Sequence, residues 1–353
     1  MIVRKFPIYL SLFALPWLAA CSHIPYYYQA IEGHLDLISR RERIETMLTR
    51  QELDIDLLQQ LKQAREIRDF ASQTLALPDN GSYRNYVDVG RQYVTWSVYA
   101  TAEFSLQPKT WCFPVAGCVP YRGYFTERKA QEFARELREG GLDVYVAGVS
   151  AYSTLGWFDD PLLSTMIKRG EAAMAGIVFH ELAHQRLYIK DDPSFNEGFA
   201  VVVQEAGVRR WLRQRRTQND LEIFERTLHR QLDFYTLIEK TRKRLQAVYT
   251  SNMTEEAMRA TKHRIIVTLI REYHRLKKHW GGYTGYDRWF NAPINNAKLS
   301  ALAIYRDYVP ILNRLLKACG EDFERFYAAV EQISRLSRAK RQQHTGWFEN
   351  CTV

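Results

Sequence analysis

Several features are scarce in this sequence of 353 residues. It has only five cysteines, no internal repeat and no low-complexity tract. Its longest almost wholly apolar run covers residues 6–17, which is too short to cross a bilayer. The remaining composition, 46% apolar and 25% charged, is that of an ordinary globular protein with enough material for a sizeable core.

The apolar run has the features of a secretory signal. Arg4 and Lys5 precede it, and it closes with Leu18-Ala19-Ala20-Cys21. Those four residues resemble the bacterial lipobox, in which cleavage falls before a cysteine whose thiol becomes lipidated. An uncleaved N-terminal anchor, or a cysteine there by chance, is the alternative. Ser22 favours the outer membrane by resemblance to enteric lipoproteins, so we expect a chain lipid-anchored at Cys21 on its periplasmic face.

Four cysteines remain: Cys112, Cys118, Cys319 and Cys351. In an oxidising compartment they can form two bridges, and three pairings are open. Cys112 with Cys118 would close a short loop, and Cys319 with Cys351 would fix the C-terminal tail. The spacing does not fit a zinc ribbon, so thiolate metal binding is the weaker interpretation.

The charge balance is modestly positive. Removing residues 1–20 takes two of 49 basic residues and none of 40 acidic ones, which leaves 47 − 40 = +7. Such a charge suits a protein near anionic lipid head groups, and we do not expect nucleic acid as a partner.

Hydrophobic spacing predicts an α+β protein that is predominantly helical. We expect a helical segment over 27–76, a helix at 127–139, a strand at 143–149, and a helix pair over 218–279 that breaks near 250–252. The predicted organisation is a signal peptide (1–20), an N-terminal helical segment (21–82), a mixed core (83–217) and a helical C-terminal region (218–353), with a small central sheet beside an active-site helix pair and a long C-terminal helical hairpin.

The pattern most specific for chemistry is His180-Glu181-Leu182-Ala183-His184. Positions four apart share one helix face, so His180 and His184 can present nitrogens to one ion. Glu181 is offset by about 100° and can reach a water rather than the metal. This predicts a zinc site with Glu181 as the general base.

A third ligand is expected on the next helix. Asp192 is a good N-cap and Pro193 a good first residue for a helix that carries Glu197. At 1.5 Å per residue, His184 and Glu197 lie roughly 7 Å from the intervening turn, so an antiparallel pair brings them level. Glu205 is the rival third ligand. Three protein ligands and one open position are what catalytic zinc requires.

These residues give the chain a resemblance to a family of bacterial lipoproteins described as zinc aminopeptidases, within the gluzincins. The resemblance covers most of the mature chain and includes the strings Trp111–Pro114, Tyr121–Phe125, Ala151–Trp157, Phe195–Glu197 and Asn295–Ala297. It implies one Zn²⁺ per chain and a peptide substrate.

The resemblance also suggests further roles. Tyr152 and Tyr305 are candidates for stabilising the oxyanion, and Asp191 or Asp192 for orienting a ligand histidine. The acidic amine anchor of gluzincin aminopeptidases has no counterpart in residues 148–152. Asp159 or Asp160 could replace it, although a role in the turn before Pro161 is favoured.

Other side chains admit both a functional and a structural role. Asn295 and Asn296 could bind substrate or cap a helix, and Arg122 could bind an anion or pack in a loop.

The predicted function is therefore zinc-dependent peptide hydrolysis by an aminopeptidase. Two alternatives stay open: hydrolysis of cell-wall peptide amides by the same chemistry, and a lipid-anchored scaffold whose zinc site is not catalytic, for which the helix pair over 218–279 would offer a surface. The protein partner of such a scaffold is unknown.

Overall fold

The computed structural model describes residues 24–113, 117–215, 218–302, 308–343, 347 and 351. The fold is α+β and predominantly helical, with strands only in small sheets of two or three, which confirms the predicted fold class. No helix within the described ranges is long and apolar enough to cross a membrane.

The N-terminal segment differs from the predicted helix over 27–76. It contains α1 (Ile24–Ser39), β1 (Glu42–Arg43), α2 (Ile44–Met47) and α3 (Ile55–Gln73). β1 pairs antiparallel with β2 (Asn85–Val87), which pairs parallel with β8 (Leu162–Leu163). The prediction of a helix over 27–76 was wrong at residues 40–43, 48–54 and 74–76. At 42–43 the chain pairs with a strand more than 40 residues away, which local spacing cannot indicate.

The central sheet has the strand order β6-β3-β7. Its strands are β3 (Thr95–Thr101), β6 (Arg122–Tyr124) and β7 (Asp143–Val149), all antiparallel. One face packs on α4 (Glu127–Glu139). The other face carries Thr95, Ser97 and Tyr99, since alternate residues of a strand point the same way. A ribbon of β4 (Trp111–Phe113) and β5 (Gly117–Val119) is closed by the Cys112–Cys118 disulfide.

A helical layer forms the main core. After the short α5 (Ser164–Ile167), α6 (Glu171–Arg186) packs against α7 (Pro193–Gln214). Asp192 accepts a hydrogen bond from the backbone N–H of Phe195 at 3.3 Å, which confirms the predicted cap and helix start. Packed around this pair are α3, α12 (Val309–Ala318), α13 (Phe323–Ser334) and α14 (Arg338–Gln343).

The helix pair over 218–279 is confirmed. α8 (Gln218–Tyr249) and α9 (Glu255–His279) form a hairpin, and Thr254 caps α9. α10 (Asp287–Asn291) closes its aromatic core, where the rings of Tyr273 and Phe290 stack with centroids 3.7 Å apart. α11 (Asn296–Ser300) then packs against β3 and β7.

Candidate metal centre

Two imidazoles on α6 face the same point. His180 and His184 lie one helical turn apart, and their Nε2 atoms are 3.1 Å from each other. Fully buried neighbours such as Phe179 and Leu182 hold α6 against the core and leave the histidine face toward a cleft.

Glu197 on α7 completes the cluster. Its Oε2 lies 3.3 Å from Nε2 of His180, and its Oε1 lies 3.6 Å from Nε2 of His184. One ligand atom from each of these three residues lies within 4.8 Å of the others. The turn between the helices is fixed by Asn196, which accepts from the N–H of Ile189 and donates to its carbonyl, both at 2.7 Å.

The donor set fits a metal ion. Two neutral imidazoles cannot both donate from facing Nε2 atoms, and Glu197 Oε2 is a buried oxygen without a hydrogen bond among the described residues. A buried carboxylate oxygen without a hydrogen bond is costly, and a cation bound between the three side chains would remove that cost. His180, His184 and Glu197 would hold the cation.

The local electrostatics favour the metal-binding protonation states of His184 and Glu197. Burial lowers the pKa of His184 to about 4, which keeps its imidazole neutral. Burial alone would raise the pKa of Glu197, but the neighbouring His180 and His184 side chains lower it overall. Burial would likewise lower the pKa of His180, and Glu197 reverses this into a net increase.

Gln204 orients the first histidine. Its Oε1 lies 3.0 Å from Nδ1 of His180. With that oxygen accepting, Nδ1 carries the proton and Nε2 presents its lone pair to the cluster. The prediction that Asp191 or Asp192 does this was wrong. Asp191 accepts from the N–H of Cys118 at 2.8 Å, and Asp192 pairs with Arg341. Gln204 lies seven residues after Glu197, two turns along the same face of α7. This spacing could have indicated from the sequence that Gln204 lies near the cluster.

Glu181 lies in the same cleft without belonging to the ligand cluster. Burial raises its pKa to about 7, His180 opposes that shift, and the charges of Glu197 and Asp160 add to it. A smaller opposing effect on this pKa comes from the Ser153 side chain. A carboxyl group here can exchange a proton with a small molecule in the cleft.

The cleft has a volume of about 410 Å³, and its walls include several aromatic side chains. It runs between α1, the sheet and the α6–α7 pair. The aromatic residues that line it are Tyr26, Tyr99, Phe113, Tyr121, Phe125, Tyr152 and Tyr188. Glu205, the rival third ligand, lines a separate cavity with Arg209 and Phe323 and is not in the cluster.

A scan against protein-family models matches residues 25–345 to a family described as "Putative aminopeptidase". The chain belongs to this family. No curated protein and no solved structure matches the chain. The aminopeptidase family match extends from α1 to α14, so it includes every wall of the cleft and all three members of the cluster.

The predicted oxyanion residues differ in outcome. Tyr152 lines the cleft, with its hydroxyl 3.4 Å from Nδ1 of His34. Tyr305 lies outside the described residues, as does the predicted lipidation site Cys21. Sequence reasoning missed Tyr121 and Tyr188, whose pKa values are raised by burial and by the charge of Glu197. Tyr188 follows His184 by four residues, and that spacing could have revealed it.

Three other candidates from the sequence make structural contacts: Asp160, the Asn295–Asn296 pair and Arg122. Asp160 is buried and accepts from Thr154 and Ser153, so it is not free to hold an amine. Asn295 caps α11, and Asn296 bonds Tyr249. Arg122 stacks over the ring of Tyr26 at 4.0 Å and that of Phe133 at 4.7 Å.

The cysteines are paired as Cys112–Cys118 and Cys319–Cys351.

Proposed function

We propose that the chain is a zinc-dependent peptidase in which His180, His184 and Glu197 bind the metal and Glu181 is the general base. The observation that carries this is the convergence of the three ligand atoms within 4.8 Å, beside a further carboxylate in the same cleft. Two imidazoles and one carboxylate are a common donor set for catalytic zinc. Structural zinc takes four protein ligands, and the cluster found in the described residues has three.

The chemistry follows from the positions of the groups. Zinc bound here would polarise a substrate carbonyl and lower the pKa of a water molecule. Glu181 accepts the proton from the attacking water and passes it to the departing amine. Tyr121 and Tyr188 keep their hydroxyl protons because their pKa values are raised, so each can donate to the oxygen that becomes negative. Tyr152 is a third donor in the cleft, and Tyr305 stays a sequence-based candidate.

Cleavage at the amino terminus of a peptide is the finer part of the proposal. Its support is the family description. Within the described lining of the cleft, the only carboxylates are Glu181 and Glu197, and both already have a role. The aromatic walls suit apolar side chains, so we expect peptides with large apolar residues at their ends to be preferred.

The proposed location is the periplasmic face of the outer membrane, through a lipid on Cys21. The support is the lipobox-like sequence Leu18-Ala19-Ala20-Cys21 and the following Ser22. Two disulfides suit an oxidising compartment outside the cytoplasm.

The test combines metal analysis with cleavage of a mixed peptide library. Wild type should contain one zinc per chain and release single N-terminal residues. Glu181→Gln should keep the zinc and lose about 10²–10⁴-fold in kcat, the usual contribution of a general base. Full activity in that variant would refute the role of Glu181.

A matched pair of variants tests the ligand assignment. Glu197→Gln should lose zinc, because it removes a charged ligand atom from the cluster. Glu205→Gln changes a buried glutamate of the same helix that lies outside the cluster, and it should retain zinc. Zinc loss in Glu205→Gln alone would overturn the assignment, and internal cleavage products would overturn the aminopeptidase specificity.

A further inference from the structure

Helix α1 has an apolar stripe that faces solvent. Tyr27, Tyr28, Ile31 and Leu35 are 40%, 65%, 59% and 57% exposed. At about 100° per residue they share an arc of about 100°, and no charged residue lies inside it. The far side of the helix is already packed, with Leu37 buried in the core. A surface helix normally buries its apolar stripe, so this second stripe requires an explanation.

A loop tip beside the stripe is equally apolar. Trp157 is 70% exposed and Phe158 is 54% exposed. The loop is held firmly, since the buried Asp160 carboxylate accepts from the N–H of Thr154 at 3.0 Å and from its hydroxyl at 2.8 Å. Trp157 follows a turn with positive φ at two residues. The tip is therefore presented in a fixed position, and little conformational entropy would be lost when it binds.

The stripe and the tip form one surface. The ring of Phe158 lies 4.8 Å from that of His34 on α1, and Arg41 donates to the carbonyl of Asp159 at 3.2 Å. We call this surface the α1–Trp157 face; its members are Tyr27, Tyr28, Ile31, Leu35, Trp157 and Phe158. It holds six of the thirteen large hydrophobic side chains that are exposed in the described residues. Such a concentration marks an interaction site.

We infer that the α1–Trp157 face docks on the surface of a lipid bilayer. Cys21 precedes Ile24, the first residue of α1, by three positions. At about 3.5 Å per residue, a lipid on Cys21 would hold the start of α1 within roughly 10 Å of the membrane. Tryptophan, tyrosine and aliphatic side chains are the residues that settle at the head-group boundary. The inference uses the proposed lipid anchor but not the proposed peptidase activity.

The charges beside the α1–Trp157 face are compatible with a lipid bilayer. Asp36 at its edge is paired with Arg40, and Glu32 lies 3.8 Å from Lys129, so the nearest acids have basic partners. Tyr26 of α1 and Tyr152 and Leu155 of the loop also line the cleft. Docking would therefore place the cleft beside the membrane.

The test measures contact between Trp157 and lipid. The lipid-modified protein is reconstituted into vesicles of phosphatidylcholine and phosphatidylglycerol, with or without brominated acyl chains that quench nearby tryptophan. Subtracting the Trp157→Phe signal isolates Trp157 from the other tryptophans. We expect the Trp157 signal to be quenched by brominated lipid, and Ile31→Ser with Leu35→Ser to lower that quenching at least twofold.

Controls make each outcome decisive. Ile223→Ser with Leu232→Ser removes two exposed aliphatic side chains from α8 and should leave the quenching unchanged. Thermal melting checks that every variant is folded. Protein that floats with vesicles while Trp157 is not quenched would be merely tethered, and the inference fails. It also fails if the protein does not float, or if the Trp157 signal responds to protein concentration rather than to lipid, which indicates a second copy on this face.

Discussion

At the scale of single residues, Gln204 orients His180, one of the three proposed metal ligands, without belonging to the cluster itself. Its amide oxygen lies 3.0 Å from Nδ1 of His180. Room for it comes from Gly176, one turn before His180, where an added Cβ would lie 3.3 Å from Nε2 of Gln204. The orientation of His180 therefore depends on a contact between α6 and α7 that lies behind the cluster.

Gln204→Ala should weaken zinc binding by about 10–100-fold, the usual effect of losing the partner that orients a ligand histidine. Gln204→Glu keeps an acceptor oxygen and should restore most of the affinity. Competition with a chromogenic chelator measures the affinity. Gln185→Ala is the matched control, since Gln185 lies on the same helix pair and bonds Asn80 and Ser82 rather than a ligand. Equal losses in Gln204→Ala and Gln185→Ala would contradict the orienting role.

The two kinds of site residue differ in how far the sequence predicts them. His180, His184 and Glu197 come together because two consecutive helices and the turn between them determine their positions, and helix geometry is local. Tyr121 directly precedes β6 and lines the same cleft, next to a sheet whose strands are paired across long stretches of chain. Its placement depends on that pairing, so no spacing in the sequence indicates it.

At the scale of elements, the turn after α3 is organised by a buried arginine. Arg68 is 1% exposed, and its guanidinium donates to the carbonyls of Ser82 at 2.8 Å, Pro78 at 2.8 Å and Asn80 at 3.0 Å. Burial lowers its pKa to about 10, so it is still charged at neutral pH. This turn leads to Tyr83, which packs in the main core.

Arg68→Ala should lower the free energy of unfolding by roughly 3 kcal/mol, because it leaves one buried and two partly buried carbonyls without this donor, at a cost of about 1–3 kcal/mol for each buried group. Arg65→Ala on the same helix removes only an exposed pair with Glu45 and should cost less than about 1 kcal/mol. Urea unfolding followed by circular dichroism compares the two variants. A loss below about 1 kcal/mol in Arg68→Ala would show that water replaces the lost donors.

Local patterns predicted the elements whose contacts are local. α4 and β7 begin and end where hydrophobic spacing placed them, and the α8–α9 hairpin breaks at the predicted turn. The error between α1 and α3 has the opposite cause. β1 is two residues long and exists because it pairs with β2, so its own sequence contains no periodicity to detect.

At the scale of the whole molecule, Arg341 and Trp347 near the C-terminus support the beginning of α7, the helix that carries Glu197. Arg341 donates to Asp192, the N-cap of α7, at 2.6 Å in a buried ion pair. Trp347 is buried, and its ring lies 6.0 Å from that of Phe195 in the first turn of α7. The Cys319–Cys351 disulfide attaches this tail to the end of α12. Glu197 thus depends on contacts made about 150 residues later in the sequence.

Removing that disulfide should therefore affect both stability and the site. The bridge spans 32 residues, and the loop-entropy relation gives about 3.7 kcal/mol for replacing Cys319 and Cys351 by serine. The Cys112–Cys118 bridge spans 6 residues, and the same double replacement there should cost only about 2 kcal/mol. Chemical denaturation in zinc-free buffer measures both losses. Zinc affinity should fall in the first variant, because a free tail no longer holds Arg341 against Asp192. Unchanged affinity with a full loss of stability would mean that the tail stabilises the fold without positioning Glu197.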